Sequence, residues 1–218
     1  MIPVTLELRE IVGPLQTECC FWLNLLQRQF PLNEQVLCSS VLRQWQAKAN
    51  GEGVHHHFFT AHSQPAGDSV GMAWYEHCAG ADAAVLWYLA VAPGLEGTGY
   101  GSQMLRQVLD LAFRERNCGF VILEVESDAH GDMNRRSQIE KRNRFYMVRH
   151  GALQLTGVNY TQRVAYQEPI PMNLLLFVNP VLPRPEPEDL FSRAREIFGE
   201  SLISVSDPGL SATLPCQD

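Results

Sequence analysis

Glycine alternates with other residues through Gly97-Thr98-Gly99-Tyr100-Gly101-Ser102, the most specific chemical signal in the chain. The residues before it read Leu89-Ala90-Val91-Ala92-Pro93-Gly94-Leu95-Glu96. An apolar strand therefore runs into a glycine-rich turn that opens a helix. Glycine accepts positive φ and lets a ligand come close to the backbone. The first N–H groups of a helix have no partner inside it and carry the positive end of its dipole. Residues 98–102 can thus cradle a pyrophosphate on backbone N–H groups. Two rival phosphate motifs fit less well. A dinucleotide GxGxxG needs a parallel strand–helix–strand opening, whereas a meander precedes this turn. A Walker loop needs lysine before its Ser/Thr, and Gly101-Ser102 lacks one. The plainer alternative is a turn that only tightens strand–helix packing.

Other side chains could move protons. In Val121-Ile122-Leu123-Glu124-Val125-Glu126 a period of two puts Glu124 and Glu126 on one face of a strand. If that face lines a substrate cleft, either carboxylate can accept a proton; otherwise both are exposed partners of Lys or Arg. Asp128 and His130 follow just beyond, and the histidine has the better ordinary pKa for a base. His55-His56-His57 invites a metal, with His55 and His57 on one strand face. No carboxylate or cysteine stands at a suitable local spacing, so the run reads as strand and no metal is expected. Cys78 and Cys118 read as small packing residues.

These groups need elements to hold them. Residues 4–8 alternate like an edge strand. Two amphipathic helices follow over 17–29 and 33–49, the second with Asn33 as N-cap. Three strands come next, over 54–62, 69–78 and 84–92, joined by short turns as in an antiparallel meander. A helix spans 102–116, a strand 120–126 and a second helix 137–149, stopped by Gly151. A strand over 172–178 and a helix over 186–198 complete the pattern, and 201–218 reads as a loose tail. Residues 154–171 carry no clear period. Strands first, then strand–helix–strand–helix–strand, is an α+β arrangement with a mixed sheet.

The composition narrows the class. The chain has 218 residues, 45% hydrophobic and 19% charged, ample for one core. A formal net charge of −7 argues against non-specific nucleic-acid binding and gives no hint of an anionic membrane surface. No apolar run approaches the roughly 20 residues that span a bilayer, and 1–10 does not read as a signal peptide. The six cysteines form no CxxC pair, which fits a reduced, cytoplasmic chain with free thiols.

On Leu89, Val91, Pro93, Gly97, Gly99 and Gly101 the sequence resembles the GNAT superfamily of acetyltransferases, whose turn reads Leu-x-Val-x-Pro, then Gln/Arg-x-x-Gly-x-Gly/Ala. The element order over 54–178 agrees with it. The resemblance implies a mostly antiparallel mixed sheet flanked by helices, with a split between two central parallel strands. The domain would span 1–180, with 181–218 as an extension carrying one helix. It implies acetyl-CoA as co-substrate, held by Leu89, Ala90, Val91, Gly97, Thr98, Gly99, Tyr100, Gly101 and Ser102, with the Val91 N–H polarising the thioester carbonyl. It implies Tyr146 as the acid that protonates the departing sulfur, and an amine as acceptor. Asn134 and Asn143 are further candidates for cofactor contact.

Two departures stand out. Glu96 occupies the usual Gln/Arg position. Two unit charges ~6 Å apart at an effective dielectric of 20 repel by roughly 3 kcal/mol, so this carboxylate is expected to point away from the cradle. Four residues separate Tyr146 from Gly151, one more than the family pattern Phe-Tyr-x-x-x-Gly. Along an undisturbed α-helix that would rotate Tyr146 by about 100°. Three readings stay open: an acetyl-CoA-dependent N-acetyltransferase acting on a small molecule or peptide amine; a non-catalytic acyl-CoA-binding module of the same fold; and an interaction protein whose segment 180–187 and last helix dock a partner or build a homodimer.

Overall fold

In the computed structural model, residues 5–53, 55–127, 133–162 and 169–212 are described. The strands are β1 (Thr5–Glu10), β2 (His56–Gln64), β3 (Ser69–Cys78), β4 (Ala83–Val91), β5 (Phe120–Glu126), β6 (Leu153–Gln162), β7 (Ile170–Val178) and β8 (Leu202–Ser211). The helices are α1 (Glu18–Gln29), α2 (Cys38–Ala49), α3 (Tyr100–Asp110), α4 (Met133–Asn143) and α5 (Pro187–Phe198). Hydrogen-bonded strand order is β1-β2-β3-β4-β5-β7-β6-β8. Of the pairs with a defined register, only β4–β5 is parallel, and it runs for three residue pairs, Ala83↔Phe120 to Val85↔Ile122. The α+β mixed sheet expected from the sequence is present.

The chain forms two compact units, residues 1–77 with 86–115, and residues 78–85 with 116–218. In the first unit, β1, β2 and β3 pair antiparallel around an aromatic core. Trp22 of α1, Trp45 of α2 and Phe58 of β2 are fully buried. Trp22 meets Trp45 edge-on at 5.6 Å between ring centroids and Phe58 at 5.5 Å. Phe58 stacks on Trp74 at 4.7 Å, and Trp74 on Tyr88 of β4 at 5.6 Å. Such contacts add about 0.5–1.5 kcal/mol each beyond the burial itself. The core thus reaches β4 just before its site-bearing end. The buried face of α1 is Cys19, Trp22, Leu25 and Leu26. Helix α2 begins at Cys38 behind Leu37, and Asn33 lies instead in a short 3-10 turn, Leu32–Glu34. The expected cap at Asn33 is therefore corrected.

In the second unit, β5 and β7 pair along the full length of β5, and β6 pairs with both β7 and β8. Two expectations change here. Of the unassigned stretch, 154–162 belong to β6 and 170–171 open β7, while 163–168 lie outside the described residues. The supposed loose tail holds β8, with Thr156↔Gly209 and Tyr160↔Leu202 in register. Both were hidden because Gly157 (φ +76°) breaks the alternation of β6 and the β6–β8 register shifts beside it. Helix α5 docks on the turn before β4 through Arg193, which pairs with Asp82 at 3.0 Å and with Asp189 at 2.9 Å.

Gly71 sets the spacing between β3, β4 and α3. A Cβ built there would lie 2.5 Å from Met104 Sδ and 2.7 Å from the Ala90 carbonyl oxygen. Gly71→Ala should lower unfolding stability by about 1–3 kcal/mol in urea titration, because backbone and a buried side chain must both give way. An unchanged midpoint would show that this close approach is not required.

Candidate active site

The predicted turn leaves β4 and enters α3 wholly within the first unit. Gly94 (φ +84°), Gly97 (+78°) and Gly99 (+101°) all take the left-handed region that glycine favours. The helix starts at Tyr100, two residues earlier than the sequence pattern indicates, with Gly99 at its N-cap. Gln103 N–H closes the first turn on Gly99 O at 3.1 Å. Tyr100, Gly101 and Ser102 therefore form the amino-terminal edge of α3, where backbone N–H groups and the helix dipole favour an anion. Thr98 is tied down by its hydroxyl, which donates to Leu95 O at 2.6 Å.

Glu96 folds back on its own loop. Its carboxylate accepts the Gly94 N–H at 2.8 Å. That bond gives the side chain a local role at the start of the turn.

The end of β4 is held from two sides. Ala92 N–H donates to Val70 O of β3 at 2.8 Å. Gln29, the last residue of α1, donates its Nε2 to Val91 O at 3.0 Å. Tyr88 accepts the Val36 N–H at 2.9 Å and donates to Glu34 O at 2.6 Å, fastening the connection between α1 and α2 to β4. Gln29 and Tyr88 went unnoticed in the sequence, since neither belongs to a motif and both act across long sequence separations. Leu89, Ala90 and Val91 are half-buried.

The proton-transfer candidates lie in the second unit. Glu124 is half-buried and Glu126 is 3% exposed. The Glu124 carboxylate accepts a short hydrogen bond from the Tyr160 hydroxyl and another from Gln162 Nε2 at 2.6 Å. Burial, then the adjacent Glu124 charge, push the Tyr160 hydroxyl well above its ordinary range, so it stays a donor. Tyr160 and Gln162 were out of reach of sequence reasoning because they sit on β6, the strand whose pattern is broken.

Tyr146 is buried, and that burial pushes its hydroxyl up to about 12, only partly opposed by the Arg142 charge. The extra residue before Gly151 does not simply rotate it. Helix α4 continues as a π-helical segment, Arg144–Arg149, and a π turn takes up one added residue. Ala152 N–H then donates to Tyr146 O at 2.9 Å and Gly151 N–H to Met147 O at 3.0 Å. Asn143 is 2% exposed. Asp128 and His130 lie outside the described residues, as does the Asn134 side chain.

The histidine run divides. His57 Nδ1 meets Glu10 at 2.7 Å, and its ring stacks on Tyr75 at 4.7 Å between centroids. His55 instead lies beside His56, with ring centroids 4.4 Å apart. The expected shared face of His55 and His57 is thus corrected: His55 belongs to a turn before β2, where strand alternation does not apply. Burial, outweighing the attraction of Glu76, lowers the pKa of His56. Cys118 is buried, its thiol pushed up to about 12 chiefly by desolvation, which makes it a packing residue.

The raised Tyr146 hydroxyl has a signed consequence. Its folded pKa of about 12 lies above the ordinary 10, so its stabilising contribution is complete below pH 10 and disappears as pH rises toward 12. The loss is on the order of 2 kcal/mol across that window. Tyr146→Phe should flatten this part of a stability-versus-pH curve measured in urea. An alkaline slope identical in the variant would show that Tyr146 ionises as freely folded as unfolded.

Comparison with known proteins agrees with this geometry. Residues 20–134 match the model of the acetyltransferase (GNAT) family. A comparison with curated protein sequences finds no match. Among solved structures, a protein assigned as a GNAT-family acetyltransferase from Bacteroides thetaiotaomicron is similar with TM-score 0.67 and 18% identity, over 88% of this chain and 98% of that one. A spermidine N-acetyltransferase from Vibrio cholerae in complex with CoA and spermine is similar with TM-score 0.57 and 12% identity, over 80% and 95% of the two chains. A protein assigned to the GNAT family from Desulfovibrio desulfuricans gives TM-score 0.56 and 17% identity, over 80% and 99%. At these identities the structures speak for the fold, while the sequence match covers more than half the chain, so the chain belongs to the GNAT family of acetyltransferases.

Proposed function

We propose that this protein transfers an acetyl group from acetyl-CoA to the nitrogen of an amine by direct attack. The observation that carries the reading is the junction of β4 and α3. Three left-handed glycines lead into helix N–H groups, and Glu96 is engaged on Gly94 rather than on that helix start. Gly97, Thr98, Gly99, Tyr100, Gly101 and Ser102 would take the pyrophosphate. Leu89, Ala90 and Val91 would run beside the pantetheine arm. The Val91 N–H would polarise the thioester carbonyl, which acetyl-CoA supplies as an activated acyl group.

The other roles follow from charge and protonation state. An attacking amine must lose a proton, and the leaving sulfur must gain one. Glu124 is our choice for the first task. It is an ordered carboxylate, oriented by Tyr160 and Gln162, and it is less enclosed than Glu126 on the same strand. Glu126 is the second candidate base. Tyr146 suits the second task, because its raised pKa keeps the hydroxyl protonated throughout the neutral range. The acceptor is an amine, of which the polyamine in the Vibrio cholerae complex is one example to include in a screen.

Release of free thiol from acetyl-CoA across an amine panel tests the activity itself. Turnover with at least one amine is expected, and acetyl-CoA binding without turnover would leave a binding module. With an active amine found, Glu124→Gln and Tyr146→Phe should each lower kcat about 100-fold or more, the usual scale of general acid–base catalysis. An unchanged kcat in either variant removes that residue from the mechanism. Glu96→Arg should tighten acetyl-CoA binding severalfold by bringing a cation near the pyrophosphate; a large loss of affinity instead would assign Glu96 a positive role.

A further inference from the structure

At the end of the β2–β3 pair, three side chains of metal-ligand type come together away from the glycine turn. His56 and Glu76 are direct partners in the antiparallel register, so their side chains leave the same face of the sheet. His55 precedes β2 and brings its ring against that of His56. Ligand atoms of His55, His56 and Glu76 all lie within 4.8 Å of one another.

Two further observations point to a ligand. His56 Nδ1 is shut off from solvent and has no hydrogen-bond partner. Its distance to Glu76 Oε2 is 3.7 Å, too long for a hydrogen bond. It is close to the separation of two ligands on one zinc-sized ion: with bonds of about 2.0–2.2 Å at tetrahedral angles, neighbouring donor atoms lie roughly 3.4 Å apart. Glu76 Oε2 is also held from behind, accepting the Trp87 Nε1–H at 2.9 Å. Fixing a ligating carboxylate by an outer donor is how metal sites hold their ligands in place. The nearby Lys48 ammonium is committed elsewhere, to Glu10 at 2.8 Å and to the His56 carbonyl oxygen at 2.9 Å.

We propose that His55, His56 and Glu76 bind a borderline divalent cation of the zinc class. Two imidazoles and one carboxylate select Zn2+, Co2+ or Ni2+ over Mg2+ and Ca2+, which prefer all-oxygen shells. Three protein ligands leave a position for water. The ion ties the turn before β2 to β3 across the end of the hairpin, and this assignment is independent of the acetyl-transfer reading. Local spacing does not show this trio, because the carboxylate arrives from the neighbouring strand.

The test uses the full, untagged chain stripped of metal with a chelator and titrated with Zn2+ and, separately, Co2+. One equivalent should bind, with a rise in Tm on Zn2+ addition and visible Co2+ absorption bands of a four-coordinate site; Mg2+ should produce neither. His55→Ala, His56→Ala and Glu76→Gln should each weaken binding at least tenfold. The glutamine keeps an acceptor for Trp87, and His55 is exposed, so at least these two variants should fold. Absence of saturable Zn2+ binding below millimolar concentration would overturn the proposal. So would an affinity unchanged in His55→Ala and Glu76→Gln.

Discussion

The backbone between β4 and α3 must turn through the left-handed region at Gly94, Gly97 and Gly99, and the site depends on that turn. Positive φ of this kind costs a residue with a side chain on the order of 1–3 kcal/mol unless its surroundings enforce it. Glycine removes the cost and also leaves the backbone bare. The same choice therefore makes the turn possible and leaves room for a ligand against the N–H groups that begin α3. Glu96 and Thr98 stiffen the loop with bonds to Gly94 N–H and Leu95 O. The rest of the first unit serves to place this junction. Its aromatic core ends on Tyr88, Tyr88 fastens the α1–α2 connection, and Gln29 and Val70 hold the last residues of β4.

The second unit solves a different problem, holding polar groups among buried apolar side chains. Glu124 lies on a strand whose other residues are buried Val, Ile, Leu and Phe together with the buried Glu126, and the donors from Tyr160 and Gln162 offset part of the Glu124 desolvation. Tyr146 is kept neutral by its burial. The π segment that follows α4 allows an added residue without losing the bonds that lead the chain into β6. A length change that looks damaging along a linear motif is thus absorbed by one irregular turn.

What the sequence made legible follows from the range of the interactions involved. The glycine turn, the strand β5 and the helix after the turn are specified by neighbouring residues, so pattern and φ preference sufficed. β6 and β8 are specified by their partners: Gly157 interrupts β6, which is held between β7 and β8, and β8 is largely exposed and becomes a strand by pairing with β6. Gln29 and Tyr88 act over long sequence separations, Tyr160 and Gln162 reach Glu124 from another strand, and Glu76 approaches the histidines only through the hairpin register. Local spacing carries no trace of any of these. The misplaced start of α2 has another origin: Pro31 and Gln35 bound a short 3-10 turn that imitates the first turn of a longer helix.

The proposed acetyl-CoA site depends on backbone N–H groups at the start of α3 holding the pyrophosphate. The most direct measurement is a titration of the isotope-labelled chain with CoA, followed by amide 1H–15N resonances. Saturable shifts are expected, largest at Gly99, Tyr100, Gly101 and Ser102, with small shifts at Glu96 and none of comparable size in β8. Binding that leaves the amides of residues 97–102 unmoved, or no binding at millimolar CoA, would contradict it.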